Sequence, residues 1–499
     1  NVPNPTVPKT LSMNIINQLN APPQTTALQK TLILIGFGTF IALAILTASL
    51  PLPLLNNQPN SLPSEGDDSA TNTINVGDTA WQIVATAFAI STAPLLSYLY
   101  ANLYGRSSAF STQVAMIVGA MIAVLWIVLS FSLTYAKTAN GDQILGFPKY
   151  YYMFAHVGAQ PDNVYVSSIP FSIFAIFELS YPILAAVIFV SAIIDRVNIY
   201  GLLFFLFVWH LVIYTPVAHI TWNARGFFKT NYIEDFSGGL VVHMTAGVSA
   251  AAAHVFLDWI QAPKAEPRKP NNPEQLIGVS TALWFLWFGL NAGKAYSAGA
   301  VASQSIVNTI AGVTTSVLTN YFLDALLGYP YSHVAITNAI LIGLISTSPS
   351  TGFVTVGGAM VVTVITVLTV RVLGHYIFKE NADDAPYSIA TLHGIGGSTA
   401  FLFTAMMTYQ FINPAGLNGL TQGTDTPIRH HTAAVLAIWT CGFCSILLAL
   451  VLSNLIVPLS KSKQGQGEFS AVPVGPFGGS PADSAEQPQV ETQENVQTA

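Results

Sequence analysis

The chain has 499 residues, of which 17 are Lys or Arg and 23 are Asp or Glu, so charged side chains make up 8% where a soluble globular protein carries about 25%. Apolar residues make up 52%, and 37 glycines come on top of that. A net charge of −6 with so few cations leaves no basic footprint for nucleic acid, and the composition excludes a soluble enzyme and a disordered chain alike. The bulk of this protein belongs in a bilayer.

Residues 1–31 are polar and dotted with proline. The apolar run from Leu32 to Leu50, closed by Pro51 and Pro53, is long for a signal-peptide core and starts far in, so 32–54 is expected to be an uncleaved membrane helix. Residues 55–78 form an acidic linker without Lys or Arg, expected to be extracytoplasmic. From 79 to 458 apolar stretches of bilayer length recur at 79–104, 112–136, 166–194, 197–221, 237–260, 275–293, 301–325, 333–348, 353–378, 388–410 and 430–458. Residues 459–499 lack periodicity and read as a disordered tail. Twelve spans put both termini on one side, which receives eleven of the Lys and Arg residues against six opposite, so the termini are expected in the cytoplasm.

The only two cysteines, Cys441 and Cys444, sit inside one apolar run with no other thiol to complete a site, and read as helix residues. The eleven-span core hints at two halves. D-F-S-G-G-L-V-V-H (Asp235 to His243) and L-H-G-I-G-G (Leu392 to Gly397) are two glycine-paired, His-bearing segments about 150 residues apart. Five spans in each half means that the second half enters the membrane in the opposite sense, which is an inverted repeat with a site near the midplane. Of the ten histidines, His156, His430 and His431 lie in or beside loops and are expected to be solvated, while His210, His219, His254, His333 and His375 lie in or near spans, where an interhelical hydrogen bond explains them equally well. His243 and His393 differ because they occupy corresponding places in the halves, with glycines nearby that let another helix approach. Two neutral imidazoles in contact share one proton and relay it without holding a fixed charge. Two His without a third ligand make a poor zinc site, so neither metal nor cofactor is expected.

D-F-S-G-G-L-V-V-H-M-T-A-G (Asp235 to Gly247) resembles the signature of the ammonium transporter (Amt/Mep) family, related to the Rhesus proteins. The resemblance continues through G-D-T-A-W (Gly77 to Trp81), V-A-H-I-T-W (Val217 to Trp222), W-F-G-L-N-A-G (Trp287 to Gly293), S-P-S-T-G-F-V-T-V-G-G-A (Ser348 to Ala359) and L-H-G-I-G-G, in family order over more than three quarters of the chain. It implies an all-α polytopic membrane protein, with eleven core helices in two inverted five-helix repeats beside the extra N-terminal helix. It also implies a homotrimer in the plasma membrane with one narrow pore per subunit. His243 and His393 match the paired pore histidines. Asp235 matches the acidic residue that opens the signature helix, where helix capping is an equally available role. Trp222 matches the aromatic of the ammonium-recruitment site, where a cation rests against a π face, and an interfacial anchor is the plainer alternative.

Three departures from the family pattern stand out. Tyr181, in F-E-L-S-Y (Phe177 to Tyr181), takes the place of an outer gate Phe, and Leu290 that of the inner gate Phe. Lys294 replaces a small hydroxyl residue at the recruitment site, a direct electrostatic objection to a cation docking there. Glu178, one turn from Tyr181 in an apolar span, is positioned to pair with Lys294; the alternative is that Lys294 snorkels into outer water and Glu178 is protonated. Smaller departures are Ala101 and Asn102 in place of Gly-Gly, Ser388 in place of an Asp, and Q-G-Q-G-E-F (Gln464 to Phe469) where relatives have a longer acidic segment. The expected function is transport of ammonium, ammonia or a similar small amine with an altered recruitment site and gate, and not enzymatic. The alternative is a transport-impaired member that senses ammonium, regulates a partner or handles another small substrate.

Overall fold

In the computed structural model, residues 73–136, 144–264, 268–330, 332–376 and 387–460 are described. The N-terminal helix expected at 32–54, most of the linker before it meets the core and the tail beyond 460 lie outside the described residues. Among the described residues there is no β-strand, only isolated bridges such as Val354 with Thr408.

Helix α1 (Val76–Leu103) starts three residues before the expected 79, because the Asn75 side chain accepts hydrogen bonds from the Gly77 and Asp78 backbone N–H groups. α2 (Ser108–Tyr135) returns after the Ser107 cap, and α3 (Phe171–Ile193) is apolar all round and buried on nearly every face, as a central helix must be. α4 (Ile199–Thr230) is interrupted just after Trp222, and α5 is Gly239–Trp259. α6 (Pro273–Gly293), with proline at its first turn, is followed by α7 (Ala300–Leu327), α8 (His333–Thr347) and α9 (Val356–Tyr376). α10 (Gly396–Met407) and α11 (Thr426–Ile456) complete the series. Nine of these helices are long and apolar enough to cross a membrane, and α8 and α10 are shorter.

Packing centres on α1, which lies against α2, α3 and α6; α7 lies against α6, α8 and α9 in turn. α5 packs on the segment leading into α10, and α10 on the first turns of α5. Those two segments, Gly239–Met244 and Ala390–Ile395, are π-helical rather than α-helical, and each carries one of the two singled-out histidines.

Candidate functional site

His243 and His393 meet because two helix starts cross at glycine. A Cβ built on Gly247 of α5 would lie 2.0 Å from the Gly394 backbone nitrogen, and one on Gly397 would lie 2.9 Å from the His243 Cβ. No side chain fits at the first position, so the backbones touch and the rings above them face each other. The two Nδ1 atoms are 2.9 Å apart, and both residues are about 1% exposed. His243 Nε2 lies 3.0 Å from Ser348 Oγ, its ring is stacked on Trp287, and His393 Nε2 is bonded to the Tyr100 hydroxyl.

One assignment of protons satisfies every partner. Ser348 donates its hydroxyl to the Leu344 carbonyl and accepts from Trp287 Nε1, which leaves it a second acceptor site for a proton on His243 Nε2. His243 Nδ1 is then the acceptor, His393 Nδ1–H the donor, and His393 Nε2 accepts from the Tyr100 hydroxyl. The donors therefore all point one way, from Tyr100 through both rings to Ser348.

The second cluster lies at the far end of α6. Seven residues separate Trp287 from Lys294, about 10 Å of helix rise. Lys294 follows the last helical residue, and its Nζ is 2.8 Å from each carboxylate oxygen of Glu178 on α3. The same nitrogen lies 3.6 Å from the ring centroid of Trp222, 4.6 Å from that of Tyr181 and 5.7 Å from that of Tyr296. The pair is buried, with side-chain exposures of 8% and 1%. Lys294 therefore does not snorkel outward; it turns in. Tyr296 donates to Glu178 Oε1 at 2.7 Å, and the Tyr135 hydroxyl donates to Oε2.

The remaining singled-out residues frame this cluster. Tyr181 donates its hydroxyl to the Leu290 carbonyl at 2.9 Å, and the Leu290 side chain is buried. Trp222 donates Nε1–H to the Asp235 carbonyl at 2.8 Å. The Asp235 carboxylate faces its own helix: Oδ1 accepts from the Gly238 and Gly239 N–H groups and Oδ2 from those of Leu240 and Val241. Capping thus consumes the carboxylate, at the positive end of α5.

Tyr135, Tyr296, Tyr100, Trp287 and Ser348 escaped the sequence reading. Tyr296 stands two residues past Lys294, and Trp287 and Ser348 open two of the quoted motifs, so their motifs were the available signal. Tyr135 had none. His431, expected to be solvated, is fully buried; its Nδ1 faces the Pro427 carbonyl at 2.8 Å and its Nε2 the Glu234 carbonyl at 3.0 Å. The helical repeat carried it inward from a loop edge. Cys441 and Cys444 are free and exposed. Among the described residues no three His, Cys, Asp or Glu side chains are grouped to hold a metal ion.

Fold and site together define a multi-pass helical membrane protein with buried polar clusters joined along one helix. The model of the Ammonium Transporter Family matches residues 80–469, and the chain belongs to that family. It is 26% identical over 401 residues to a putative ammonium transporter of Methanothermobacter thermautotrophicus, covering 79% of this chain and 96% of that one. It is also 26% identical over 403 residues to the ammonium transporter MEP2 of Saccharomyces cerevisiae, covering 77% and 80% of the two chains. The crystal structure of Saccharomyces cerevisiae Mep2 superposes with a TM-score of 0.68 at 22% identity, over 78% of this chain and 88% of that one. A structure titled Sensor Amt Protein superposes with a TM-score of 0.66 at 18% identity, over 79% and 96%. At those identities the two structures speak for the fold.

Proposed function

We propose that this chain transports ammonium across the plasma membrane, moving the neutral amine past His243 and His393 while the pair relays the proton. The observation that carries the reading is the 2.9 Å contact between two buried imidazoles whose other ring nitrogens meet the hydroxyls of Ser348 and Tyr100. A bare cation at such a place loses its water at a cost of several kcal/mol or more, on the order expected for any buried ion, whereas ammonia is neutral. The one-way row of donors from Tyr100 to Ser348 reverses when a single proton enters at one end and leaves at the other, which is what a relay requires.

The proposal includes eleven core spans in two inverted halves, cytoplasmic termini and a homotrimer with one pore per subunit. Support for the halves comes from the matched π turns of His243 and His393 and from the parallel packing of α1 on α2 and α3 and of α6 on α7 and α8. Trp222 and Tyr181 serve as the recruitment aromatics, Tyr181 and Leu290 form the altered gate, and Asp235 sets the start of α5.

The test is flux of ammonium and methylammonium into vesicles holding the reconstituted protein, beside His243→Ala and His393→Ala. The expected result is saturable wild-type flux that falls at least about tenfold in both variants. A second reading, in which the chain binds ammonium and signals without transporting it, is favoured by one observation: the Lys294 ammonium group already rests among the aromatics. Wild-type vesicles that bind ammonium yet pass none would sink the transport reading and leave that one.

A further inference from the structure

The cluster at the end of α6 is a complete receptor for a primary ammonium group. Such a group has three N–H donors and no acceptor. Two of them reach Glu178 Oε1 and Oε2 at 2.8 Å each, and the charge rests 3.6 Å from the face of Trp222. The polar edges of the surrounding rings are all turned elsewhere. Trp222 N–H goes to the Asp235 carbonyl and the Tyr181 hydroxyl to the Leu290 carbonyl, so both rings present only their π faces to the nitrogen. The Tyr296 and Tyr135 hydroxyls donate to the carboxylate and hold it in place.

Nothing is left over for a second cation. Glu178 accepts four hydrogen bonds, two from Lys294 and two from tyrosines, which fills the lone-pair sites of a carboxylate. Asp235, whose carbonyl takes the Trp222 N–H, has its carboxylate spent on four backbone N–H groups. Glu178 and Lys294 cancel in charge, so the filled cage exerts no net pull on a cation in the bulk. The occupant is tethered at the end of the helix: Lys294 follows the last residue of α6, and the chain becomes exposed four residues on, at Ala298 and Gly299.

We propose that the cage of Glu178, Trp222, Tyr181 and Tyr296 is an ammonium-binding site that the chain fills with its own Lys294, so that external ammonium and the Lys294 side chain compete for one place. This deepens the transport reading only in naming the competitor; the site and its occupant stand whether or not the chain transports. The consequence is a built-in brake: ammonium docks when Lys294 has swung out, and the fraction of time it does so sets the apparent affinity.

The test reads binding without flux. Purified wild type, Lys294→Ala and Lys294→Ser are titrated with ammonium chloride or methylammonium chloride, against sodium chloride at equal ionic strength, following thermal unfolding and Trp fluorescence. A ligand that binds only the folded state raises Tm in proportion to the logarithm of its concentration above Kd. The Lys294 variants are expected to show a saturable, ammonium-specific rise with an apparent affinity at least about tenfold above wild type. Adding Glu178→Gln to Lys294→Ala is expected to abolish it. Folded Lys294 variants with no ammonium-specific rise would overturn the proposal, as would a wild type that responds at the same concentrations as the variants. Serine is the second variant because its hydroxyl offers an incoming ammonium an acceptor that alanine lacks. Flux in the same samples reports separately on transport: absence of flux with the expected binding leaves the cage in place and removes the transport reading.

Discussion

The histidine pair and the lysine cage are both polar, both buried and separated by about two turns of α6, yet they meet the cost of burial in opposite ways. At the pair, charge is avoided. With the protons assigned as above, each imidazole is neutral and every ring nitrogen is matched to a partner. At the cage, charge is accepted and cancelled: a full cation faces a full anion, with aromatic faces and two tyrosine hydroxyls around them. A neutral site can be traversed, whereas a paired one has to be broken open. On the transport reading proposed above, conduction belongs to the first and control to the second.

The sharpest way to break that contrast is to remove one charge from the cage. Glu178→Gln leaves the Lys294 ammonium buried without its anion, and loss of one partner of a buried pair costs about 3–5 kcal/mol. Replacing both, as in Glu178→Gln with Lys294→Met, is expected to recover most of that loss, since a neutral cluster of similar volume needs no counter-ion. A thermal and chemical unfolding series on wild type, both singles and the double measures the coupling directly. Additive losses would mean that the two side chains are not an energetic unit despite their 2.8 Å contacts.

The pair depends instead on backbone contact, and the corresponding probe is steric. Gly247→Ala places a Cβ where the Gly394 backbone nitrogen lies 2.0 Å away, so α5 and the π turn before α10 must part. Overpacking of this kind costs about 1–3 kcal/mol, and the expected functional effect is larger than the stability effect, because an ångström of separation ends the Nδ1 contact. A variant that unfolds later in temperature than wild type, or that keeps full flux, would contradict the role given to the glycine crossing.

How far each region could be read in advance follows from the same physics. Helix positions were legible because lipid forces long apolar runs; the expected 237–260 and 275–293 lie within two residues of Gly239–Trp259 and Pro273–Gly293 at every end. The histidine pair was legible because a Gly-rich, His-bearing segment occurs twice. Glu178 and Lys294 stood out as charges in apolar surroundings, and the cage brought them together. What stayed hidden depends on contacts distant in sequence. Tyr135 reaches Glu178 across 43 residues and looks from its neighbours like any aromatic at a span end. The π turns were equally invisible, since one extra residue in a helical turn changes no residue type. Asp235 was read with two roles open, and only its four backbone bonds reveal which way the carboxylate points.

Glu234, next to Asp235 and outside the spans, is the intermediate case: a buried carboxylate with neither the cage's cation nor the pair's neutrality. Its Oε1 accepts from the Leu417 backbone N–H, while Oε2 has no hydrogen-bond partner. Burial pushes its pKa up to about 7 from a usual value of 4.5, against the opposing pull of the Leu417 bond and the Lys229 charge. The folded state therefore binds this proton more tightly than the unfolded chain. Below about pH 4.5 both states are protonated and the group costs nothing; between 4.5 and 7 stability falls as pH rises; above 7 the whole cost of the buried anion is present. One pKa unit corresponds to roughly 1.4 kcal/mol. Glu234→Gln keeps an acceptor for Leu417 and removes the charge, so it is expected to flatten the decline of Tm between pH 5 and about 7.5 and to exceed wild type by about 1–2 kcal/mol at the alkaline end, after the weaker neutral hydrogen bond is discounted. Equal pH dependence in the two proteins would place the Glu234 carboxyl in water rather than against Leu417.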